Sequence, residues 1–146
     1  MLFKNRKRTF VSILLVLLVV SALVLPMTAS AGRFTREQGF MRVPRGATEA
    51  YTLTVGEVSV TIPPGALPKG GPVILIVTTG PRGQFLANFG PSYRFQAPVM
   101  MEFGDAEVVY YHYGNAQIPL YTGDLDGDGD SGEIESEHFS RYSGWF

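Results

Sequence analysis

The chain has 146 residues, 12 of them basic and 13 acidic, for a formal net charge of −1, and it contains no cysteine. Without cysteine there is no disulfide, no thiol nucleophile, no zinc–thiolate site and no haem attached through cysteine, so a small fold must rest on packing, helped at most by a bound metal. Four of the basic residues, Lys4, Arg6, Lys7 and Arg8, open the chain with no acid among them. The remainder therefore holds eight basic against 13 acidic side chains, net −5, a balance that argues against nucleic acid or an anionic membrane as partner.

An apolar run from Phe10 to Leu25, broken only by Ser12 and Ser21, follows the basic head, and Pro26 ends it. Ala29-Ser30-Ala31 then supplies small residues at the two positions a signal peptidase reads. Basic head, apolar middle and small exit predict a secretory signal helix over residues 1–31, cleaved between Ala31 and Gly32. The rival reading is an uncleaved anchor, but the run is shorter than the ~20 residues a spanning helix needs. No cysteine follows it, which excludes a lipid-anchored lipoprotein. The expected location is outside the cell or on its surface, with membrane contact only through the signal before cleavage.

Residues 32–48 are polar, basic and glycine-bearing, and read as a flexible arm or an edge strand. Residues 49–146 read as one module. Tyr51–Val55 and Val58–Ile62 alternate apolar with polar, the period of a strand with one face buried and one wet. Pro63-Pro64-Gly65 and the cluster Pro68–Pro72 stop and turn the chain. Val73–Val77 is apolar at every position, which predicts a central strand covered on both faces. Gly80-Pro81-Arg82-Gly83 and Phe89-Gly90-Pro91-Ser92 are further punctuation. Val99, Met101 and Phe103 share one face of the next strand. Val108–Tyr113 and Gln117–Thr122 follow, and Ile134–Trp145 closes the chain as a single strand. No stretch shows helical periodicity. Seven or eight short strands with turns every ten residues or so predict an all-β fold, a small antiparallel β-sandwich preceded by the cleavable signal helix.

Three segments together resemble a known domain. Val58–Ile62 with Pro63-Pro64-Gly65-Ala66-Leu67 is similar to the strand and Ile-Pro-x-Gly-Ala-Leu signature of the β-sandwich shared by ankyrins, netrin receptors and tight-junction scaffolds (the ZU-type domain). Phe89-Gly90-Pro91-Ser92 through Phe95-Gln96-Ala97-Pro98-Val99 resembles its Gly-Pro and Phe-x-x-Pro-Val segment, and His138-Phe139-Ser140-Arg141-Tyr142 its closing His-Phe-Ser-x-Tyr strand. The resemblance implies a bacterial exported relative used as a structural or protein-interaction unit. The short chain, the lack of an accompanying domain and an acidic loop before the last strand depart from the pattern.

That loop is the sharpest chemical signal. Asp124-Leu125-Asp126-Gly127-Asp128-Gly129-Asp130 places carboxylates at every second position, and seven of the 13 acids fall between Asp124 and Glu137. Carboxylates so close repel one another unless a cation neutralises them, and hard oxygen donors without histidine or cysteine select Ca²⁺. Against the twelve-position calcium loop of EF-hands, Asp124, Asp126 and Asp128 stand at ligand positions 1, 3 and 5. Gly129 is the turning glycine, Asp130 sits at position 7, ligating through its carbonyl, and Glu135 at the bidentate position 12. The strand-like Ile118–Tyr121 before it and Ser131 in the apolar eighth position rule out a helix-flanked EF-hand. A calcium clip in a β-hairpin spanning 124–135 is the expectation, against a solvated acidic turn without metal.

In some relatives of the resembling family a His-Phe-Ser strand cleaves itself. Here Ser140 would attack the Phe139 carbonyl with His138 as general base, and water would hydrolyse the ester. The alternative is a structural strand, with Phe139 in the core and Arg141 and Tyr142 packing outside. Tyr110-Tyr111-His112-Tyr113 offers aromatic faces to a cell-envelope glycan, although strand spacing assigns half of them to packing, and His112 reads as structural. Asp105 and Glu107 read as a solvated face. Serine-hydrolase, phosphate-loop and dinucleotide signatures are missing. The expected function is a non-enzymatic structural or interaction module with an unknown protein or envelope partner. Self-cleavage and glycan binding are the alternatives.

Overall fold

The computed structural model describes residues 32–146, and the expected signal segment and cleavage site lie outside them. Ten strands, all antiparallel to their neighbours, make up the described residues: β1 (Thr35–Val43), β2 (Tyr51–Val55), β3 (Val58–Ile62), β4 (Gly71–Thr79), β5 (Gln84–Gly90), β6 (Arg94–Phe103), β7 (Val108–Tyr113), β8 (Ala116–Tyr121), β9 (Glu133–His138) and β10 (Arg141–Trp145). They form a six-stranded sheet in the order β1-β4-β5-β10-β7-β8 and a four-stranded sheet in the order β2-β3-β6-β9. The described residues contain no helix, and hence none long and apolar enough to cross a membrane.

The period-two pattern decides which side chains meet between the sheets. Leu53 and Val55, then Val58, Val60 and Ile62, point inward from β2 and β3, and Val99, Met101 and Phe103 do so from β6. From the other sheet come Val73, Leu75 and Val77 of β4, Phe85, Ala87 and Phe89 of β5, Val109 of β7 and Tyr142 of β10, all in one buried cluster. Phe103 is the hub of this core. Its ring stacks on Phe85 at 5.5 Å and meets Phe89 and Tyr142 at 6.1 and 5.5 Å between centroids. Burying a phenylalanine side chain contributes roughly 1.5–3 kcal/mol, and the ring pairs add to that.

Of the two readings of residues 32–48, the edge strand is the one formed: β1 pairs with β4 along its length. Other expectations change. Val73–Val77 is covered on one face only, because Ile74 and Ile76 lie half-exposed on the outer side of the six-stranded sheet. Strand β5 was not anticipated between its two proline-glycine turns. The closing segment is two strands rather than one. At Phe139-Ser140 the chain crosses from β9 in the small sheet to β10 in the large one, and this shift turns Tyr142 inward to 1% exposure.

The three segments of the resemblance converge in space. The Gln96 amide donates to the Ala66 carbonyl at 2.9 Å and the Phe89 amide to the Ser140 carbonyl at 3.0 Å. The Phe139 ring lies 4.8 Å from Phe95 and 5.6 Å from Phe89.

Candidate metal-binding loop

The acidic loop joins β8 to β9 and is closed at its base by a two-residue bridge. Gly123 and Glu133 exchange amide-to-carbonyl hydrogen bonds, both 3.1 Å. Strand register thus brings the two ends together, and the residues between must reverse direction. Gly127 and Gly129 do so with φ of +82° and +100°, a region that side chains disfavour.

Within the loop the carboxylates organise the backbone. Asp124 accepts from the Gly127 amide through Oδ1 (2.7 Å) and from the Gly129 amide through Oδ2 (3.2 Å). Asp126 Oδ1 accepts from the Asp128 amide at 3.0 Å, and Asp128 Oδ1 from the Asp130 amide at 2.9 Å. These are local side-chain-to-backbone turns of the kind aspartate favours. They leave Oδ2 of Asp126 and of Asp128 without an amide donor.

Asp124, Asp126 and Asp128 each place one oxygen so that all three lie within 4.8 Å of one another. Oxygens bound to one calcium at ~2.3–2.6 Å can be no more than about 5 Å apart, so the three fit a single coordination sphere. Neither the Asp130 nor the Glu135 carboxylate is in this group. Asp130, expected to ligate through its carbonyl, donates its amide to Asp128. Glu135 stands in β9 opposite Met100, on the outer face of the small sheet.

Sequence reasoning passed over Glu133. It is 3% exposed, and its Oε2 accepts from the amides of both Leu125 and Asp126, the latter at 3.2 Å. Glu133 therefore holds the first turn of the loop down onto β9. A carboxylate receiving two amides is a charge-assisted pair, stronger than two neutral bonds. The only signal for it in the sequence is the alternation of acids at 133, 135 and 137, and long-range pairing with Gly123 selects among them.

At the crossing, the His138 ring lies 5.3 Å from the Tyr111 ring, while Phe139 is buried and its amide donates to the Tyr93 carbonyl. Among the described residues no hydrogen bond joins His138 to Ser140, and no residue other than glycine has positive φ. In the tyrosine run, Tyr111 packs inward on Tyr142 at 5.8 Å, whereas Tyr110 meets Trp145 edge-on at 6.5 Å. Nε2 of His112 lies 2.8 Å from the Ser143 hydroxyl. Compared with protein-family models, curated proteins and solved structures, the chain matches none of them.

Proposed function

We propose that this chain is an exported, non-enzymatic structural or interaction module of the ankyrin-type β-sandwich kind, and that its 124–130 loop binds calcium. The metal reading rests on one observation above the others: three aspartate oxygens gathered within 4.8 Å on a loop whose backbone is already folded around them. Asp124, Asp126 and Asp128 supply the negative ligands, and loop carbonyls and water complete the sphere. Glu133 fixes the loop to the sheet, so that binding stiffens the hairpin between β8 and β9. The contacts linking the three resembling segments, Ala66 with Gln96 and Phe139 with Phe89 and Phe95, support the kinship.

Isothermal titration calorimetry of the purified protein tests the metal reading. A saturable heat with Ca²⁺ that disappears in Asp126→Asn is expected. No heat at millimolar calcium would remove it.

A further inference from the structure

The two sheets are unequal in width, and the imbalance falls at β8. Register pairs Val109 with Leu120 and Tyr111 with Ile118, so Ile118 and Leu120 face the same way as the buried Val109, toward the opposite sheet. That sheet ends at β9. Ile118 is left 42% exposed and Leu120 only partly buried. Between this overhang and the edge of β9 run two adjoining clefts of about 590 and 310 Å³, with Leu120 and Glu135 in the walls of both.

The edge of β9, unpaired beyond Gly123 among the described residues, borders the same clefts. The Phe103 amide donates to the Gly132 carbonyl, which sets the phase of the β6–β9 ladder. Alternation then directs the backbone groups of Ile134 and Ser136 toward β6, and those of Glu133 and Glu135 away from it, up to the register shift that follows Ser136. Glu133 spends its pair on Gly123. Glu135 turns its pair to the cleft, and the side chains of Glu135 and Glu137 are both exposed.

We infer that this seam takes an extended peptide segment of another protein as a fifth strand on β9, with alternating apolar and basic side chains. A strand hydrogen-bonded to β9 sits ~4.8 Å beyond it, over the inward face of β8. Its inward side chains cover Ile118 and Leu120. Its outward ones stand beside Glu135 and Glu137, where opposite charges across a strand pair are favourable and acids are not. The acidic loop at one end of the seam adds to the same preference. This inference rests on reading the chain as an interaction module and not on the metal.

Fluorescence anisotropy with a labelled, capped nonapeptide of alternating valine and lysine tests it, with calcium and with chelator in parallel. Controls are an alternating valine–glutamate peptide and a valine–lysine peptide with its residues grouped in two blocks. Saturable binding of the alternating basic peptide is expected, with both controls weaker by about tenfold or more. Glu135→Pro removes the cleft-facing amide together with the carboxylate beside the peptide's basic side chains, at a position proline tolerates on an edge. It and Ile118→Asp should each weaken binding about tenfold or more. If Glu135→Pro fails to fold, Ile118→Asp, at an exposed position, decides. Absence of saturable binding, equal binding of the block peptide, or variants that bind as well as the wild type would overturn the inference. Peptide binding without a calcium heat would remove the metal reading alone, and a calcium heat without peptide binding would remove this one alone.

Discussion

Between the sheets, Phe85, Phe89, Phe103 and Tyr142 are buried to 7% exposure or less and touch ring to ring. In the loop at the rim, every residue from Asp124 to Ser131 is exposed, and the backbone is shaped by carboxylates of the loop itself. The first region gains from removing apolar surface from water and needs no ligand. The second gathers like charges, whose repulsion a cation would relieve. Apolar packing and clustered charge are thus housed in different places, and Glu133 ties the charged loop to the sheet.

Breaking the interior should have the largest effect. Phe103→Ala removes the central ring and leaves a cavity, so we expect a loss of about 3–5 kcal/mol in urea unfolding. The calcium affinity of the molecules still folded should not change. If the two fell together, loop and core would be coupled more tightly than their separation implies.

Metal should act in the other region with a smaller magnitude. Calcium at a hundred times its Kd should raise stability by about 2.7 kcal/mol, read as a shift in Tm, and Asp126→Asn should remove most of that gain. Glu133 tests the junction between the regions. Glu133→Gln keeps an acceptor oxygen but loses the charge that serves two amides, and should cost about 1–2 kcal/mol even with chelator present. A variant as stable as the wild type would show that Glu133 does not anchor the loop.

Much of the interior was legible in advance because it depends on local alternation. Leu53, Val55, Val60, Val99, Met101 and Phe103 all face inward as period two requires. Strand β5 escaped notice because Gln84, Ala87 and Asn88 are weak strand formers set between two turns. Its inward set of Phe85, Ala87 and Phe89 becomes clear only once β4 and β10 flank it. The rim was legible in chemistry but not in geometry. The Asp124, Asp126 and Asp128 spacing marked a cluster, but it did not reveal the anchor of the loop. The long-range Gly123–Glu133 bridge places Glu133 beneath the first turn. No short window of sequence contains that pairing.

Alkaline pH probes the interior in a graded way. Burial raises the Tyr142 hydroxyl above its ordinary value of 10.0, opposed by the hydrogen bond to Ser136 and reinforced by Tyr111. The unfolded tyrosine therefore loses its proton first. The stability linked to Tyr142 is complete below pH 10, and it is lost as the pH climbs from there toward the folded value. Thermal unfolding between pH 8 and 11 should show a flat region followed by a decline, with the decline shallower in Tyr142→Phe. Burial raises Tyr93 in the same direction, opposed by Arg42, so some of the decline should survive in that variant.

The smallest expected effect is also the one whose sign separates the two regions most cleanly. Asp128→Asn keeps a side-chain oxygen able to accept the Asp130 amide, so the turn can stay intact while one negative charge leaves the cluster. With chelator present, removing a charge from a group of like charges should relieve repulsion and move Tm slightly upward. With calcium present, the same change removes a charged ligand, and Tm should fall relative to wild type. No substitution in the apolar interior should change sign with calcium, because nothing there is charged. A Tm shift in Asp128→Asn of the same sign and size in both buffers would mean that the loop is a solvated turn and takes no metal.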